Sequence, residues 1–575
     1  MDTSLNTRPA TIRDILVEAS RRYGGKTALV LHEGESFTYA GLAAYAAELA
    51  EFLKERGIRP GDRVAILGEN SPRWGIAYFA ITSMGAIAVP ILTEFPPKEI
   101  ARIIQHSESA AVFVSRRQYE KLESVPLEAR GICVLLDDLT VIPPGTTDGD
   151  LSRTDIPRES ARRPGTTFRW ETGQGGPSAE DVASIVYTSG TTGFSKGVML
   201  THHNLVSDAI GTAEISGVGA NDRLLSILPL PHTYESTLGL ITVLMMGATV
   251  HYLDRPPTAA VLLPALLKVR PTIMLSVPLI IEKIYRSKIH PELTGKPMLR
   301  RLHGIPALRR ALHRIAGKKL LKTFGGDLRL FTIGGAPLAP DVELFLREAK
   351  FPYAIGYGLT ETSPLIAGTG SAATRYRSTG PVLPGGTRIR IANPSPSTGE
   401  GEIEVKGPTV MKGYYKDPER TAAAFTADGW LKTGDLGLFD ADGYLYIKGR
   451  SKNMILGPSG KNIYPEEIEA VINEFDTVRD SLVIQQQNKL VALVNLDYER
   501  LREALKASES DLRARANELL AELHRQVNDR VPLSARIHKL VEQVEPFQKT
   551  PTQKIKRYLY TGARGDGDSS LSSPP

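Results

Sequence analysis

The sequence has 575 residues and only one cysteine, Cys133. A single cysteine excludes intramolecular disulfides and a cysteine-based metal site, and it is consistent with a reducing compartment. Its apolar neighbours, Gly-Ile-Cys-Val-Leu-Leu, predict that this side chain is buried. Residues 1–8 have neither the charged nor the apolar segment of a signal peptide, so none is expected. The longest apolar candidate, residues 238–250, is too short to span a bilayer.

The chain also lacks a strong charge bias and any internal repeat. Its net charge is +6, with 41% hydrophobic and 23% charged residues, values that are ordinary for a soluble globular protein. There is no Lys/Arg block interleaved with aromatic residues, so no nucleic-acid partner is expected. We expect a cytoplasmic protein of several domains, because 575 residues exceed the size of a single core. The basic segment 286–322 predicts a solvated helical face, with contact to a membrane surface as the alternative.

Short apolar strands alternate with helical patterns along most of the chain, which is typical of a mostly parallel α/β sheet. Before residue 140 the pattern predicts helices at 12–19, 39–57, 74–84 and 99–106 and strands at 63–67, 86–90, 111–114 and 132–136. After residue 180 it predicts strands at 182–186, 224–228, 249–253, 274–277 and 328–333 and helices at 236–246 and 258–269. The polar stretch 143–180, which is rich in Pro and Gly, predicts an exposed connection.

The pattern changes after residue 380. Short strands with frequent glycines, at 387–391, 401–405 and 444–447, indicate a small β-rich subdomain. A further domain is expected to begin near residues 449–452. Its helices are predicted at 465–472, where proline and acids mark the first turn, and in the charged region 499–530. Residues 561–575, which contain mainly Gly, Asp, Ser and Pro, predict a disordered tail.

One stretch, residues 187–197, has the sequence Tyr-Thr-Ser-Gly-Thr-Thr-Gly-Phe-Ser-Lys-Gly directly after an apolar strand pattern. Glycines let backbone N–H groups converge on an anion, hydroxyl groups donate further hydrogen bonds, and the Lys196 ammonium adds a positive charge. The stretch therefore predicts a phosphate-binding loop. It differs from a Walker A loop, because Ser195 replaces the second glycine and Gly197 replaces Ser or Thr.

Five further motifs follow this loop in order. They are Gly-Gly-Ala-Pro-Leu at 334–338, Gly-Tyr-Gly-Leu-Thr-Glu-Thr at 356–362, Thr-Gly-Asp-Leu-Gly at 433–437, Gly-Arg-Ser-Lys at 449–452 and Pro-Thr-Gln-Lys-Ile-Lys-Arg at 551–557. Over residues 12–560 the chain thereby resembles the adenylate-forming (AMP-binding) enzyme superfamily. Within it, the segments 228–235, 428–437 and 442–450 are most similar to those of the long-chain fatty acyl-CoA synthetases.

Pattern and resemblance together imply an α/β fold. The large N-terminal domain, 1–450, is expected to contain two mostly parallel α/β subdomains plus a small β-rich subdomain. A small mobile α+β C-terminal domain is expected at 451–560, before the disordered tail at 561–575. The resemblance implies a long-chain fatty acid–CoA ligase that uses ATP and Mg²⁺. A carboxylate and ATP give an acyl-adenylate and pyrophosphate, and the thiol of CoA then gives acyl-CoA and AMP.

The resemblance also assigns roles to residues at matching positions. Lys554 is placed between the carboxylate and the α-phosphate, Thr360 at the α-phosphate and Glu361 at Mg²⁺. Lys452 matches the hinge about which the C-terminal domain rotates between the two half-reactions. The residues implied to bind the nucleotide are Thr188, Ser189, Gly190, Thr191, Thr192, Gly193, Lys196, Gly335, Ala336, Pro337, Gly356, Tyr357, Asp435 and Arg450, and those implied to line the acyl site are His232 and Tyr234.

Several alternatives remain at this stage. The acceptor is CoA or acyl carrier protein, or the reaction stops at the adenylate, and the acid is a fatty acid or a shorter or aromatic one. A nucleotide-binding scaffold without catalysis is the non-enzyme alternative. The presence together of Glu361, Asp435, Arg450 and Lys554 favours an enzyme. The sequence is compatible with a monomer and with a homodimer.

Overall fold

A computed structural model describes residues 9–152, 159–161, 170, 176–188, 195–456, 462–487, 489–505, 511–512, 515–550 and 554–561 of the chain. Its helices are α1 (Ile12–Tyr23), α2 (Tyr39–Glu55), α3 (Pro72–Ser83), α4 (Pro97–Ser107), α5 (His202–Ser216), α6 (Thr242–Met245), α7 (Ala259–Val269), α8 (Pro278–Ile284), α9 (His290–Thr294), α10 (Pro297–His303), α11 (Pro306–Thr323), α12 (Pro340–Glu348), α13 (Pro418–Ala424), α14 (Pro465–Ile472), α15 (Tyr498–Leu505) and α16 (Ala516–Asn528). Two π-helical segments, Tyr234–Ile241 and Tyr285–Ile289, precede α6 and α9.

Most of the strands belong to two large sheets. The strands are β1 (Thr27–Leu31), β2 (Ser36–Thr38), β3 (Arg63–Leu67), β4 (Ile87–Ile91), β5 (Ser109–Val114), β6 (Ile132–Leu135), β7 (Thr140–Ile142), β8 (Val182–Thr188), β9 (Lys196–Thr201), β10 (Arg223–Ser226), β11 (Thr249–Tyr252), β12 (Ile273–Ser276), β13 (Leu330–Ile333), β14 (Tyr353–Ile355), β15 (Tyr357–Gly358), β16 (Leu365–Ala367), β17 (Arg388–Ala392), β18 (Gly401–Lys406), β19 (Gly413–Tyr414), β20 (Leu431–Phe439), β21 (Leu445–Arg450), β22 (Ile455–Leu456), β23 (Asn462–Ile463), β24 (Val478–Gln486), β25 (Lys489–Leu496) and β26 (Lys539–Glu542).

The first large sheet has eight strands in the order β19-β9-β8-β4-β3-β5-β6-β7. Its central strands, from β8 to β6, are parallel, and antiparallel strands lie at both edges. Alternate residues of β3 pack into different cores, Ile66 into one and Ala65 into another, and both are fully buried. Helices therefore cover both faces of this sheet, which explains its continuous apolar strands.

The second large sheet has seven strands in the order β14-β13-β12-β10-β11-β1-β2. All neighbours are parallel except β1 and β2. The expected pair of mostly parallel α/β subdomains is thus confirmed. The strand β1 joins β11 far along the chain, with Leu29 opposite Val250, a pairing that local sequence patterns do not predict.

Two predictions about individual segments have different outcomes. Cys133 is buried in β6, as predicted. The prediction of an exposed connection at 143–180 was wrong at Leu151, Ala161 and Trp170, which are buried. The Arg13 guanidinium of α1 lies 5.7 Å from the centre of the Trp170 ring, so this segment packs against the start of the chain.

The predicted β-rich subdomain is a four-stranded sheet with the order β17-β18-β20-β21. Its strand β20 was not predicted, although it is nine residues long and includes the motif at 433–437. Ile403 and Val405 of β18 pack with Leu445 of β21 in one small core. Polar residues alternate with apolar ones along these strands, as in a sheet with one solvated face.

The described residues form two compact units. The larger unit contains both large sheets and ends at Ile447. The smaller unit contains 434–436 and the described residues from Lys448 onward, with the sheet β24-β25-β26. In this sheet Val483 and Leu482 face different cores, so both faces are covered. None of the helices that the structure describes is long and apolar enough to cross a membrane.

Candidate active site

The predicted phosphate loop connects two paired strands of the larger unit. Thr188 ends β8 and lies opposite Lys196, the first residue of β9, in the antiparallel register. The Thr188 Oγ1 atom is buried and makes no hydrogen bond within the described part of the chain, so this hydroxyl has capacity to bind a ligand. Five of the predicted phosphate-binding residues lie outside the described residues: Ser189, Gly190, Thr191, Thr192 and Gly193.

Lys196, Glu361 and Tyr414 form a compact polar cluster in the larger unit. The Lys196 Nζ atom lies 2.5 Å from Glu361 Oε1 and 2.7 Å from the Tyr414 hydroxyl oxygen. That hydroxyl donates a 2.9 Å hydrogen bond to the same carboxylate oxygen, and the ammonium group lies 4.3 Å from the centre of the tyrosine ring. The structure thus brings together the lysine predicted for phosphate and the carboxylate predicted for Mg²⁺.

The electrostatics of this cluster keep Glu361 ionised. Burial favours a higher pKa for its carboxyl, but the Lys196 charge and the hydrogen bonds from Lys196 and Tyr414 outweigh burial and lower the pKa. The pKa of Tyr414 is raised, first by burial and then by the neighbouring Glu361 charge. At neutral pH the cluster therefore holds a carboxylate on Glu361 and a neutral phenol on Tyr414, beside the Lys196 side chain.

A tight hairpin presents Thr360 and Glu361. They lie in a short 3₁₀ helix, Thr360–Thr362, between the paired strands β15 and β16. A side chain at Gly358 would place its Cβ atom 1.7 Å from the Pro364 carbonyl oxygen, so only glycine fits there. The Glu361 carbonyl oxygen accepts a 2.9 Å hydrogen bond from the Met411 N–H. The backbone of Glu361 is therefore held in place by the tight hairpin and by the hydrogen bond from Met411.

The predicted adenine-binding residues lie at the ends of parallel strands. Gly334 directly follows β13, and the next residue, Gly335, has φ of +85°, a conformation that favours glycine. Gly335, Ala336 and Pro337 are exposed, as a ligand-binding surface requires. Gly356 follows β14, and its N–H donates a 3.0 Å hydrogen bond to the Ile333 carbonyl. Tyr357, at the start of β15, is half-buried.

Tyr234, which is predicted to line the acyl site, also lies close to the motif that contains the predicted adenine-binding residues. Its hydroxyl lies 2.9 Å from Thr332 Oγ1, and a Cβ atom on Gly334 would lie 3.2 Å from its ring. The Nδ1 atom of His232 accepts a 3.2 Å hydrogen bond from the Tyr234 N–H, which fixes the turn before the π-helical segment. His232 and Tyr234 therefore lie on the same side of the larger unit as the Gly334–Gly335 motif.

Two polar residues near these positions were missed in the sequence. Tyr414 is one, and Glu235 is the other. Glu235 is 1% exposed, accepts a 2.5 Å hydrogen bond from the Ser226 hydroxyl, and its burial raises its pKa to about 8. The sequence does contain a signal for it, because Glu235 is the only Asp, Glu, Lys or Arg between Arg223 and Asp254. Nothing comparable distinguishes Tyr414 from neighbouring tyrosines.

The smaller unit contains the remaining predicted residues. Arg450 Nε lies 2.7 Å from Asp435 Oδ1, and the carboxylate is nearly buried while the guanidinium is half-exposed. Lys452 is exposed in the turn after β21. Lys554 is exposed too, and its N–H donates a 3.2 Å hydrogen bond to Thr550 Oγ1 while its carbonyl accepts one of 2.8 Å from the Thr550 N–H. The two residues implied to contact the ribose are thus paired with each other.

Comparison with known proteins adds to this geometry. The family model of AMP-binding enzymes matches residues 16–415. The chain belongs to the AMP-binding enzyme family. The matched range of this AMP-binding enzyme includes Lys196 and Glu361 and ends before Asp435 and Lys554.

Similar proteins cover between 79% and 96% of this AMP-binding enzyme. It is 31% identical to the long-chain-fatty-acid–CoA ligase FadD15 of Mycobacterium bovis, over 87% of this chain and 86% of the relative. It is also 31% identical to a feruloyl-CoA synthase of an Amycolatopsis species, over 79% of this chain and 82% of the relative. The structure of ATP-bound MatB from Rhodopseudomonas palustris covers 96% of this chain and 98% of its own, with 25% identity and a TM-score of 0.73. Together these findings support the class of AMP-forming acid–CoA ligases.

Proposed function

We propose that this AMP-binding enzyme activates a long-chain fatty acid with ATP and transfers the acyl group to CoA. The observation that carries the proposal is the similarity to the long-chain ligase FadD15 over 87% of the chain. The sequence segments at 228–235, 428–437 and 442–450 support the same substrate class. The products are acyl-CoA, AMP and pyrophosphate.

The cluster of Lys196, Glu361 and Tyr414 is proposed to bind the ATP phosphates. Because an anionic carboxylate must attack an anionic α-phosphate, neutralisation of charge and alignment of the reactants dominate the chemistry. Lys196, next to the orphaned Thr188 hydroxyl, supplies the positive charge for the β- and γ-phosphates. Thr360 is proposed to contact the α-phosphate. ATP binding then exchanges the Lys196–Glu361 pair for pairs with the ligand.

Glu361 fits the role of a magnesium ligand. Its carboxylate is ionised, and Mg²⁺ usually binds through one or two carboxylates together with substrate phosphates. When bound, Mg²⁺ neutralises phosphate charge as a Lewis acid. Before ATP binds, Lys196 and Tyr414 hold Glu361 in place and deprotonated.

The residues of the smaller unit are proposed to complete both half-reactions. Asp435 accepts the ribose hydroxyls, and Arg450 holds the carboxylate and adds a ribose contact. Lys554 stabilises the charge that develops between the acid and the α-phosphate. Lys452 is the proposed hinge for the change from adenylation to thioester formation.

Tyr234 and His232 are proposed to border the acyl group. The closeness of the Tyr234 ring to Gly334, where an added Cβ atom would lie 3.2 Å from the ring, supports this role, because Gly334 belongs to the motif that is proposed to bind the nucleotide. Gly335, Ala336 and Pro337 are proposed to line the adenine pocket, with the Tyr357 ring stacked on the base.

An aromatic acid is the second candidate substrate, because the feruloyl-CoA synthase is as similar as the long-chain ligase. Acyl carrier protein is the alternative acceptor. Purified enzyme is incubated with ATP, Mg²⁺ and palmitate in three reactions, which contain CoA, carrier protein or no acceptor. AMP and thioester are then quantified. We expect thioester only with CoA. Thioester formed only on carrier protein would show that carrier protein, and not CoA, is the acceptor. AMP release without any thioester would show that the reaction stops at the adenylate.

A further inference from the structure

The helices α10 and α11 form an unusually basic surface on the larger unit. Between Gly295 and Gly326 there are nine Lys or Arg residues and no Asp or Glu. Arg309 is used internally, since its guanidinium donates two hydrogen bonds, of 3.0 and 2.8 Å, to Glu348 of α12. The other eight cations of the segment are exposed: Arg310 and Lys319 lie within 4 Å of the carboxylates of Glu348 and Glu292, and the remaining six are Lys296, Arg300, Arg301, Arg314, Lys318 and Lys322. The surface therefore favours an anionic partner.

Large apolar side chains are exposed on the same two helices and the turn between them. Met298 of α10 is 73% exposed, Ile305 in the turn 50%, and Leu308 and Ile315 of α11 41% and 68%. The opposite face of α11, with His313, Gly317 and Leu320, is buried, so the helix is fixed to the body of the unit. Leu308 and Ile315 are seven residues apart and lie on one outward face. Exposed apolar residues among cations are typical of a helix that lies in a membrane interface.

A cavity of about 280 Å³ opens between α11 and the turn after α12. Three cations line it, Arg314, Lys318 and Lys350, and no carboxylate does. Leu321 and Phe351 form an apolar part of its wall. A small cavity that is lined by cations and has an apolar part of its wall suits the phosphate of a phospholipid, with the attached glycerol and acyl chains beside the apolar wall.

We propose that the α10–α11 surface docks on an anionic phospholipid bilayer, and that the cavity beside α11 takes a headgroup phosphate. The exposed apolar side chains favour a bilayer over free phosphate, because free phosphate leaves them in water. The docking is independent of the acid that the enzyme activates. It places the enzyme where membrane-dissolved amphiphilic acids are concentrated.

The test is flotation of the full-length protein with vesicles of phosphatidylcholine alone and of phosphatidylcholine with phosphatidylglycerol. We expect binding only to the anionic vesicles, and loss of binding at about 0.5 M NaCl, where charges are screened. The triple variant Arg314→Gln, Lys318→Gln, Lys350→Gln should lower the partition coefficient roughly 100-fold, since each basic side chain near the surface contributes about fivefold. The double variant Met298→Ser, Ile315→Ser should weaken binding without changing its salt dependence.

A matched triple variant, Arg21→Gln, Lys54→Gln, Arg56→Gln, removes three charges from α1 and the end of α2 and should bind like the wild type. Both triple variants should keep the melting temperature and the rate of AMP formation with a dissolved acid, which separates this inference from the proposed function. Equal vesicle binding by the two triple variants would overturn the proposal. Absence of binding to anionic vesicles, as expected if the surface instead docks an acidic protein, would overturn it as well.

Discussion

Lys196 Nζ and Glu361 Oε1 lie 2.5 Å apart, so the two side chains that are proposed to contact ATP and its magnesium ion neutralise each other in this structure. Both are largely shielded from water, with 27% and 13% of their side chains exposed. Each charge therefore depends on the other for compensation. A bound nucleotide must supply equivalent partners for both, which makes this pair a sensitive point for substitution.

Replacement of Lys196 by methionine keeps the apolar stem and removes the charge. We expect the Glu361 pKa to rise, ATP affinity to fall at least tenfold and the unfolding free energy to fall by about 1–3 kcal/mol, because a buried carboxylate loses its partner. Calorimetric titration with ATP and thermal unfolding measure these effects. The control Lys412→Met, at an exposed position of the same unit, should change neither the ATP affinity nor the unfolding free energy. Unaltered ATP affinity in the Lys196 variant would contradict its phosphate role.

Asp435→Ala removes the carboxylate that pairs with Arg450 and is proposed to hold the ribose. We expect ATP and AMP to bind roughly tenfold or more weakly, in line with the loss of one charge-assisted hydrogen bond. Pyrophosphate, which has no ribose, should bind as it does to the wild type. If the affinity for AMP stays the same, the ribose assignment is wrong.

Lys554→Ala separates the two half-reactions. The variant should lose acyl-adenylate formation by at least 100-fold, because the charge between acid and α-phosphate is no longer stabilised. Thioester formation from supplied acyl-AMP and CoA should persist. Lys556→Ala, two residues away, is the matched control and should retain both activities. Equal loss of the two half-reactions in the Lys554 variant would refute its assignment to adenylation.

Glu235 should make stability depend on pH. Burial raises its pKa to about 8, so between about pH 5 and 8 the folded protein keeps a proton that the unfolded chain has released. Stability should then fall as pH rises, by about 1.4 kcal/mol per pH unit for this group. Glu235→Gln removes that contribution, and denaturant unfolding at several pH values should give a flatter profile. Parallel profiles of variant and wild type would show that Glu235 is ionised in the folded protein.

The sequence predicts much of the fold because the strands of the two large sheets are short, apolar and separated by helical patterns. It does not predict that β1 pairs with β11, since register between distant strands depends on tertiary packing. The strand β20 was missed because its residues 433–437 matched a motif and contain two glycines. Local pattern likewise predicts Lys196 and Glu361 as separate motif residues, whereas their contact depends on how β9 and the β15–β16 hairpin meet.

The predicted roles depend on resemblance more than on residue chemistry. Tyr414 illustrates the limit, because nothing in its local sequence indicates that its hydroxyl donates to Glu361. Glu235 shows the opposite case, since an isolated carboxylate in an apolar segment is visible in the sequence itself. Local sequence does not separate the two candidate substrate classes, because relatives of equal identity are named for a long-chain acid and for an aromatic acid.

The most direct test of the central claim is the rate of ATP- and CoA-dependent thioester formation over a series of acids under identical conditions. The series runs from acetate through octanoate, dodecanoate, palmitate and stearate, and includes benzoate and ferulate. A long-chain fatty acid–CoA ligase should show the highest kcat/KM between dodecanoate and stearate, with AMP released in equal amount to the thioester. A maximum at acetate, benzoate or ferulate would contradict the proposed substrate class.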